Sequence, residues 1–166
     1  MIEPMIVRAS VFIAVFAVLQ FGWQASDGGT LHALWINRGV AAPAAFIADS
    51  LTPGLGIRAS GNRIHATGGG INIVNGCDGM DTMFLLLAGF CVAPIPARAR
   101  IAGILVGMPL CYALNLLRIL ALLYARQHDI GLFDLLHGIV TPVCMVAAIA
   151  AYYYAWLWRR DGRQAP

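Results

Sequence analysis

The chain has 166 residues, of which 60% are hydrophobic and only 11% charged, with a mean hydropathy of +0.74. Soluble domains carry about 25% charged residues, so the composition excludes a soluble globular domain and predicts an all-α integral membrane protein. All eleven basic residues are arginines, and a net charge of +3 this dispersed excludes nucleic acid as a partner. The length predicts a single membrane domain over residues 1–166.

A spanning helix needs about 20 mainly apolar residues. The first predicted span runs from about Ile6 to Trp23, with Arg8 as its only charge. It is expected to stay attached, because cleavage after Ala25 would put bulky Trp23 where a small residue is preferred. An external segment of about 25–76 follows. Leu31, Leu34, Trp35, Phe46, Ile47 and Leu51 predict an amphipathic stretch on the membrane surface, broken near Pro43. After the turn Thr52-Pro53-Gly54, the runs Ile57–Ala59, Arg63–Ala66 and Ile71–Val74 read as short strands separated by Ser60-Gly61-Asn62 and Gly68-Gly69-Gly70. They predict a small external β-hairpin, whose edge is either a cap on the bundle or a template for an extended substrate.

The second span is expected over about 80–95, ending at Pro94-Ile95-Pro96, the third over about 101–124 and the fourth over about 135–158. Gly103, Gly107 and Pro109 are tolerable in the third if neighbouring helices pack close. Tyr152, Tyr153, Tyr154, Trp156 and Trp158 in the fourth suit an interfacial aromatic belt. With four spans and both termini cytoplasmic, Arg8, Arg98, Arg100, Arg159, Arg160 and Arg163 all fall inside, as the positive-inside rule requires.

That orientation gives depth to three residues not used in setting it. Cys77 precedes the second span, at the outer surface. Arg118 lies eighteen residues above Arg100, roughly 27 Å along a helix and close to the outer edge of a core about 30 Å thick. His137 opens the fourth span. An intramembrane arginine costs roughly 2.5–3.5 kcal/mol on insertion scales, so Arg118 needs a partner or a task.

Cys91, Cys111 and Cys144 lie inside apolar runs and read as small buried hydrophobes, whereas Cys77 stands beside polar residues. With no CxxC motif and no regular spacing, neither a disulfide framework, a metal site nor any other cofactor is expected. Gly76 and Gly79 permit a tight turn that places Cys77 near a helix N-terminus, which favours the thiolate; Asp78 and Asp81 are expected to cap that helix. Asn115 and Arg118 share a helical face, with Arg118 as an oxyanion stabiliser or carbonyl anchor and Asn115 as a supporting donor. His137 follows Asp134 by three residues, within reach of an Asp–His hydrogen bond, and is the candidate general acid–base. The non-catalytic alternative is a membrane adaptor or assembly subunit in which Arg118 pairs structurally with Asp78, Asp81 or Asp134. A quinone-linked thiol oxidoreductase needs paired external cysteines, and Cys77 stands alone. There is no GxSxG for a serine protease, and the aspartates sit at span ends.

Gly76-Cys77-Asp78-Gly79 before one span, Asn115-x-x-Arg118 late in the next and His137-Gly138 opening the last resemble the exosortase/archaeosortase family, over about Asn75 to Trp158. The resemblance implies a membrane cysteine transpeptidase of a short bacterial subfamily, similar to sortases in chemistry but not in fold. By that resemblance Cys77 is the nucleophile, Arg118 the family's arginine and His137 its histidine. It further implies action at the outer face of a bacterial inner membrane, on secreted proteins bearing a C-terminal motif, hydrophobic helix and basic cluster, with an amine as acceptor.

Overall fold

The computed structural model describes residues 2–161, and most of them fold into helices. Arg163, one of the arginines used for orientation, lies outside the described residues. Three helices are long and apolar enough to cross a membrane: α1 (Ile2–Ala25), α5 (Ala97–His128) and a continuous rod over Ile130–Arg159. That rod comprises α6 (Ile130–Leu135), a π-helical turn (Leu136–Val140) and α7 (Thr141–Asp161). The chain is a multi-pass membrane protein. The remaining apolar helix, α4 (Met80–Val92), has only 13 residues, about 20 Å, shorter than a hydrocarbon core of about 30 Å.

The boundaries differ from the sequence expectation where polar residues continue a helix. Arg98 and Arg100 belong to the first turn of α5, not to a loop, because Pro96 sits at its N-cap and ends the extended link from α4. The last rod starts at Ile130 rather than about 135, where Asp129 caps it by accepting the Gly131 N–H at 2.7 Å.

The external segment is more ordered than expected. α2 (Thr30–Leu34), a π-helical turn (Trp35–Ala41) and α3 (Ala42–Leu51) form one rod that passes Pro43 without a break. Proline has no N–H and would leave the carbonyl four residues back unpaired. Here the Ala42 N–H reaches back five residues to Asn37, and the Gly39 carbonyl accepts the Tyr112 hydroxyl of α5 at 2.6 Å. The second π turn likewise precedes a proline, Pro142, with the Thr141 N–H bonded to Leu136.

The predicted strands form, but as a three-stranded antiparallel meander rather than a hairpin: β1 (Arg58–Ser60), β2 (Arg63–His65) and β3 (Ile71–Asn72), in the order β1-β2-β3. Ile64 pairs with Ala59 and Ile71, and its side chain is fully buried in a cluster with Val40, Ala44, Ile73, Ile119 and Leu123. The sheet is thereby fixed on the C-terminal half of α5 and on the α2–α3 rod. Its last strand runs directly into Asn75-Gly76-Cys77.

The second core lies deeper, around Phe90, Leu86, Met83, Cys111 and Ile149. A Cβ at Gly103 would lie 2.5 Å from Phe90 Cζ, and one at Gly107 would lie 2.6 Å from Leu86 Cδ2, so both glycines let α4 and α5 approach closely. The expected aromatic belt is split. Tyr152, Tyr153 and Trp156 turn into the bundle and donate to the carbonyls of Gly103, Gly89 and Ala99, while Tyr154 and Trp158 face outward. Away from lipid headgroups those inward donors need acceptors, and backbone carbonyls of neighbouring helices supply them. Trp156 bound to Ala99, and Arg8 beside Arg100, put the start of α1, the start of α5 and the end of α7 at one basic end of the bundle. Cys77 lies at the other.

Candidate active site at the start of α4

The loop Val74–Gly79 is a chain of tight turns. Gly76 (φ +85°) and Gly79 (φ +82°) adopt left-handed backbone that other residues rarely take. Gly79 is doubly constrained, since a Cβ there would lie 2.7 Å from Asn115 Cγ. The Cys77 side chain is buried, only 6% exposed. It lies in a narrow cleft lined by Ile71, Ile73, Ile119, Phe133 and His137.

The three residues expected at a common depth are in contact. His137 Nδ1 lies 3.6 Å from Cys77 Sγ, and Arg118 Nη2 lies 3.8 Å from the same sulfur. Arg118 is held on two other sides. Its Nη1–H donates to the Gly76 carbonyl at 2.9 Å, and its Nε–H donates to Thr141 Oγ1 at 3.0 Å. The Thr141 hydroxyl in turn donates to the Leu136 carbonyl at 2.8 Å, inside the π turn. Among the described residues Arg118 has no carboxylate partner, which removes the structural Arg–Asp pair on which the adaptor alternative rested.

Asn115 is buried, and its Nδ2–H donates to the Cys77 carbonyl at 3.3 Å, fastening the loop; its Oδ1 has no partner. The expected Asp–His hydrogen bond is corrected: Asp134 is exposed and does not bond His137. The imidazole is instead stacked on Phe133, with ring centroids 5.5 Å apart and planes 4° from parallel, and Phe133 itself carries Arg126 at 5.9 Å. Phe133 and Asp134 are the i−4 and i−3 neighbours of His137 on the rod, both within ordinary helical reach, and it is the apolar one that packs on the ring.

The carboxylates play the expected capping part only in outline. Asp78, 1% exposed, receives the Met80 N–H at 3.4 Å and the Trp23 indole N–H at 2.6 Å, while its own carbonyl takes the Trp35 indole at 3.2 Å. Asp81 accepts from Gln20 at 2.7 Å. Burial pushes the Asp78 carboxyl above its ordinary pKa despite these donors. The thiol also departs from expectation: burial pushes Cys77 up, Arg118 pulls it down, and Asp78 and Asp81 push it up again, with a net rise. Burial thus opposes the thiolate that the helix start and Arg118 favour. A buried thiol beside an imidazole and a guanidinium is an arrangement for removing the proton as attack begins.

Trp23, Gln20, His32, Asn75, Phe133 and Thr141 had no expected part. His32 is buried against Trp23 and bonds through Nε2 to Asn75 Oδ1, with its Nδ1 3.5 Å from Asp27 Oδ1. It thus braces the residue two before the cysteine. Only Thr141 had a legible signal, lying one helical turn beyond His137 on the same rod.

The family model described as transmembrane exosortase (Exosortase_EpsH) matches residues 5–154, nearly the whole chain. The chain belongs to the exosortase family. Exosortases are generally membrane cysteine transpeptidases. No curated protein and no solved structure matches significantly. The matched range extends beyond the half-chain that carried the sequence resemblance, taking in α1 and the external segment, so the exosortase match includes Trp23 and His32 as well as the cysteine loop.

Proposed function

We propose that this exosortase-family chain is a cysteine transpeptidase that works through an acyl-enzyme on Cys77, on the outer side of a bacterial inner membrane with both termini cytoplasmic. Its substrates are secreted proteins held by a C-terminal signal of short motif, hydrophobic helix and basic cluster. What supports the reading most is the contact of one thiol with both an imidazole and a guanidinium at the non-basic end of the bundle.

As Sγ attacks the scissile carbonyl, its proton passes to His137 Nδ1 and the carbonyl becomes an oxyanion. Arg118 Nη2 is placed to balance that charge and the sulfur's own. The C–N bond then breaks, His137 returns the proton to the leaving amine, and a thioester remains on Cys77. An incoming amine gives up a proton to His137 and adds to the thioester, releasing the thiol; water in the same place gives hydrolysis. Gly76, Asn115, Thr141 and Phe133 hold the three groups in position, and membrane lipid supports the bundle. Asp134 has no part in this scheme.

The test is co-expression with a secreted reporter carrying such a tail. Cys77→Ala should abolish processing at unchanged membrane expression, whereas Ser at Cys91 or Cys144 and Ala at Cys111 should leave it intact. Processing that persists in Cys77→Ala refutes the mechanism.

A further inference from the structure

At the basic end, far from Cys77, a second feature is unrelated to the thiol chemistry. A cleft of about 370 Å³ is bounded by Arg8, Arg100 and the Cys91–Pro94 end of α4. Arg100 spends one Nη2–H on the Ala93 carbonyl at 3.0 Å, and its Nε is buried without a partner. Neither arginine has an acidic partner among the described residues. A half-buried guanidinium with an unmet donor beside a second cation is an incomplete anion site.

The cleft does not stand alone. Val92 lines it and also a groove of about 290 Å³ that runs along α4 between α1 and α7. The groove wall is almost wholly apolar, formed by Phe12, Leu85, Gly89, Ala150 and Tyr153 besides Val92. From Val92 to Leu85 it extends for about 10 Å, enough for a sizeable part of one acyl chain. A positive mouth adjoining an apolar trough at Val92 matches a single amphiphile, and an anion at the mouth matches its headgroup. The basic cluster of a sorting signal would be repelled here.

We infer that Arg8 and Arg100 bind the phosphate of an anionic phospholipid whose acyl chain lies in the α1/α4/α7 groove. The lipid chain lies against α4 and bridges α1 to α7 through a molecule that is not protein. The site is independent of the Cys77 chemistry and stands or falls separately from it.

The test uses the full-length protein in a neutral detergent, titrated with dioleoyl phosphatidylglycerol. Native mass spectrometry reads lipid retained per chain, and thermal unfolding reads stabilisation. Expected results are one retained phosphatidylglycerol, a raised unfolding midpoint, and neither effect from dioleoyl phosphatidylcholine. Affinity should fall about fivefold for each of Arg8→Gln and Arg100→Gln, with Arg100→Lys recovering most of the loss. Ala150→Phe, at an exposed groove position, should also displace the lipid without touching either arginine. Equal retention of phosphatidylcholine, or full binding by the Arg8→Gln/Arg100→Gln double variant, overturns the site. A midpoint raised as far by inorganic phosphate alone overturns the lipid as its occupant.

Discussion

Replacing Arg118 by Gln removes the one positive charge that faces the thiol while keeping a polar side chain of similar length. Nη2 lies 3.8 Å from Sγ. A full charge at that distance from a forming thiolate or oxyanion is worth about 4 kcal/mol at an effective dielectric constant of about 20. Water reaching the half-buried guanidinium reduces this to about 2 kcal/mol at the lower end. Processing should therefore slow by roughly 30- to 1000-fold. Arg118→Lys keeps the charge but cannot serve the Gly76 carbonyl and Thr141 Oγ1 together, so it should fall between wild type and Arg118→Gln. The assay is twofold: initial processing of a tailed reporter in membrane vesicles, and iodoacetamide modification of Cys77 in a background without Cys91, Cys111 and Cys144. Both rates should drop in Arg118→Gln, while exposed Arg58→Gln changes neither. If Arg118→Gln keeps both rates within twofold of wild type at equal protein level, the assigned electrostatic role is wrong.

Four further outcomes are expected. Because burial holds the Cys77 thiol above its ordinary pKa, its alkylation rate should keep climbing with pH beyond the usual thiol midpoint of about 8.5; Asp81→Asn, which removes a negative neighbour, should shift the whole curve to lower pH. A curve that levels off at neutral pH would mean a resting thiolate. His137→Gln should cost 10²–10⁴ in processing at unchanged thermal stability, measured by reporter cleavage. Thr141→Val deletes the Nε acceptor and should lower turnover about 10- to 100-fold, with Thr141→Ser restoring it; an unchanged Thr141→Val would mean that Arg118 is positioned without it. Gly79→Ala forces a Cβ into Asn115 at a positive φ and should cost roughly 2–4 kcal/mol, read as a drop in folded protein by size-exclusion fluorescence.

Three long apolar helices, the short strands and the meeting of Cys77, Arg118 and His137 were legible because each follows from local composition or counted helix rise. Arg118 in particular betrayed itself by its cost in an apolar run. What could not be read were contacts between distant segments. Trp23 meets Asp78 across 55 positions, and His32 meets Asn75 across 43; nothing local marks either pair. The two π turns were the other obstacle. They carry the α2–α3 rod past Pro43 and precede Pro142 in the last rod, while helical spacing alone allows His137 either Asp134 or Phe133 as its neighbour. Burial of the thiol is illegible for a related reason. A helix start next to an arginine favours a thiolate, but the sequence does not show how deeply the sheet and α5 bury the sulfur.

The most direct test of the central claim is to trap the intermediate. Membranes containing the wild-type protein and the tailed reporter are quenched in acid, digested and examined by peptide mass spectrometry, with and without hydroxylamine. A thioester linking the reporter's cleaved carboxyl end to the Cys77 peptide is predicted, released by hydroxylamine, accumulating when acceptor amine is withheld and absent from Cys77→Ala. Reporter cleavage without any such adduct in Cys77→Ala, or an adduct on another cysteine, would contradict the account.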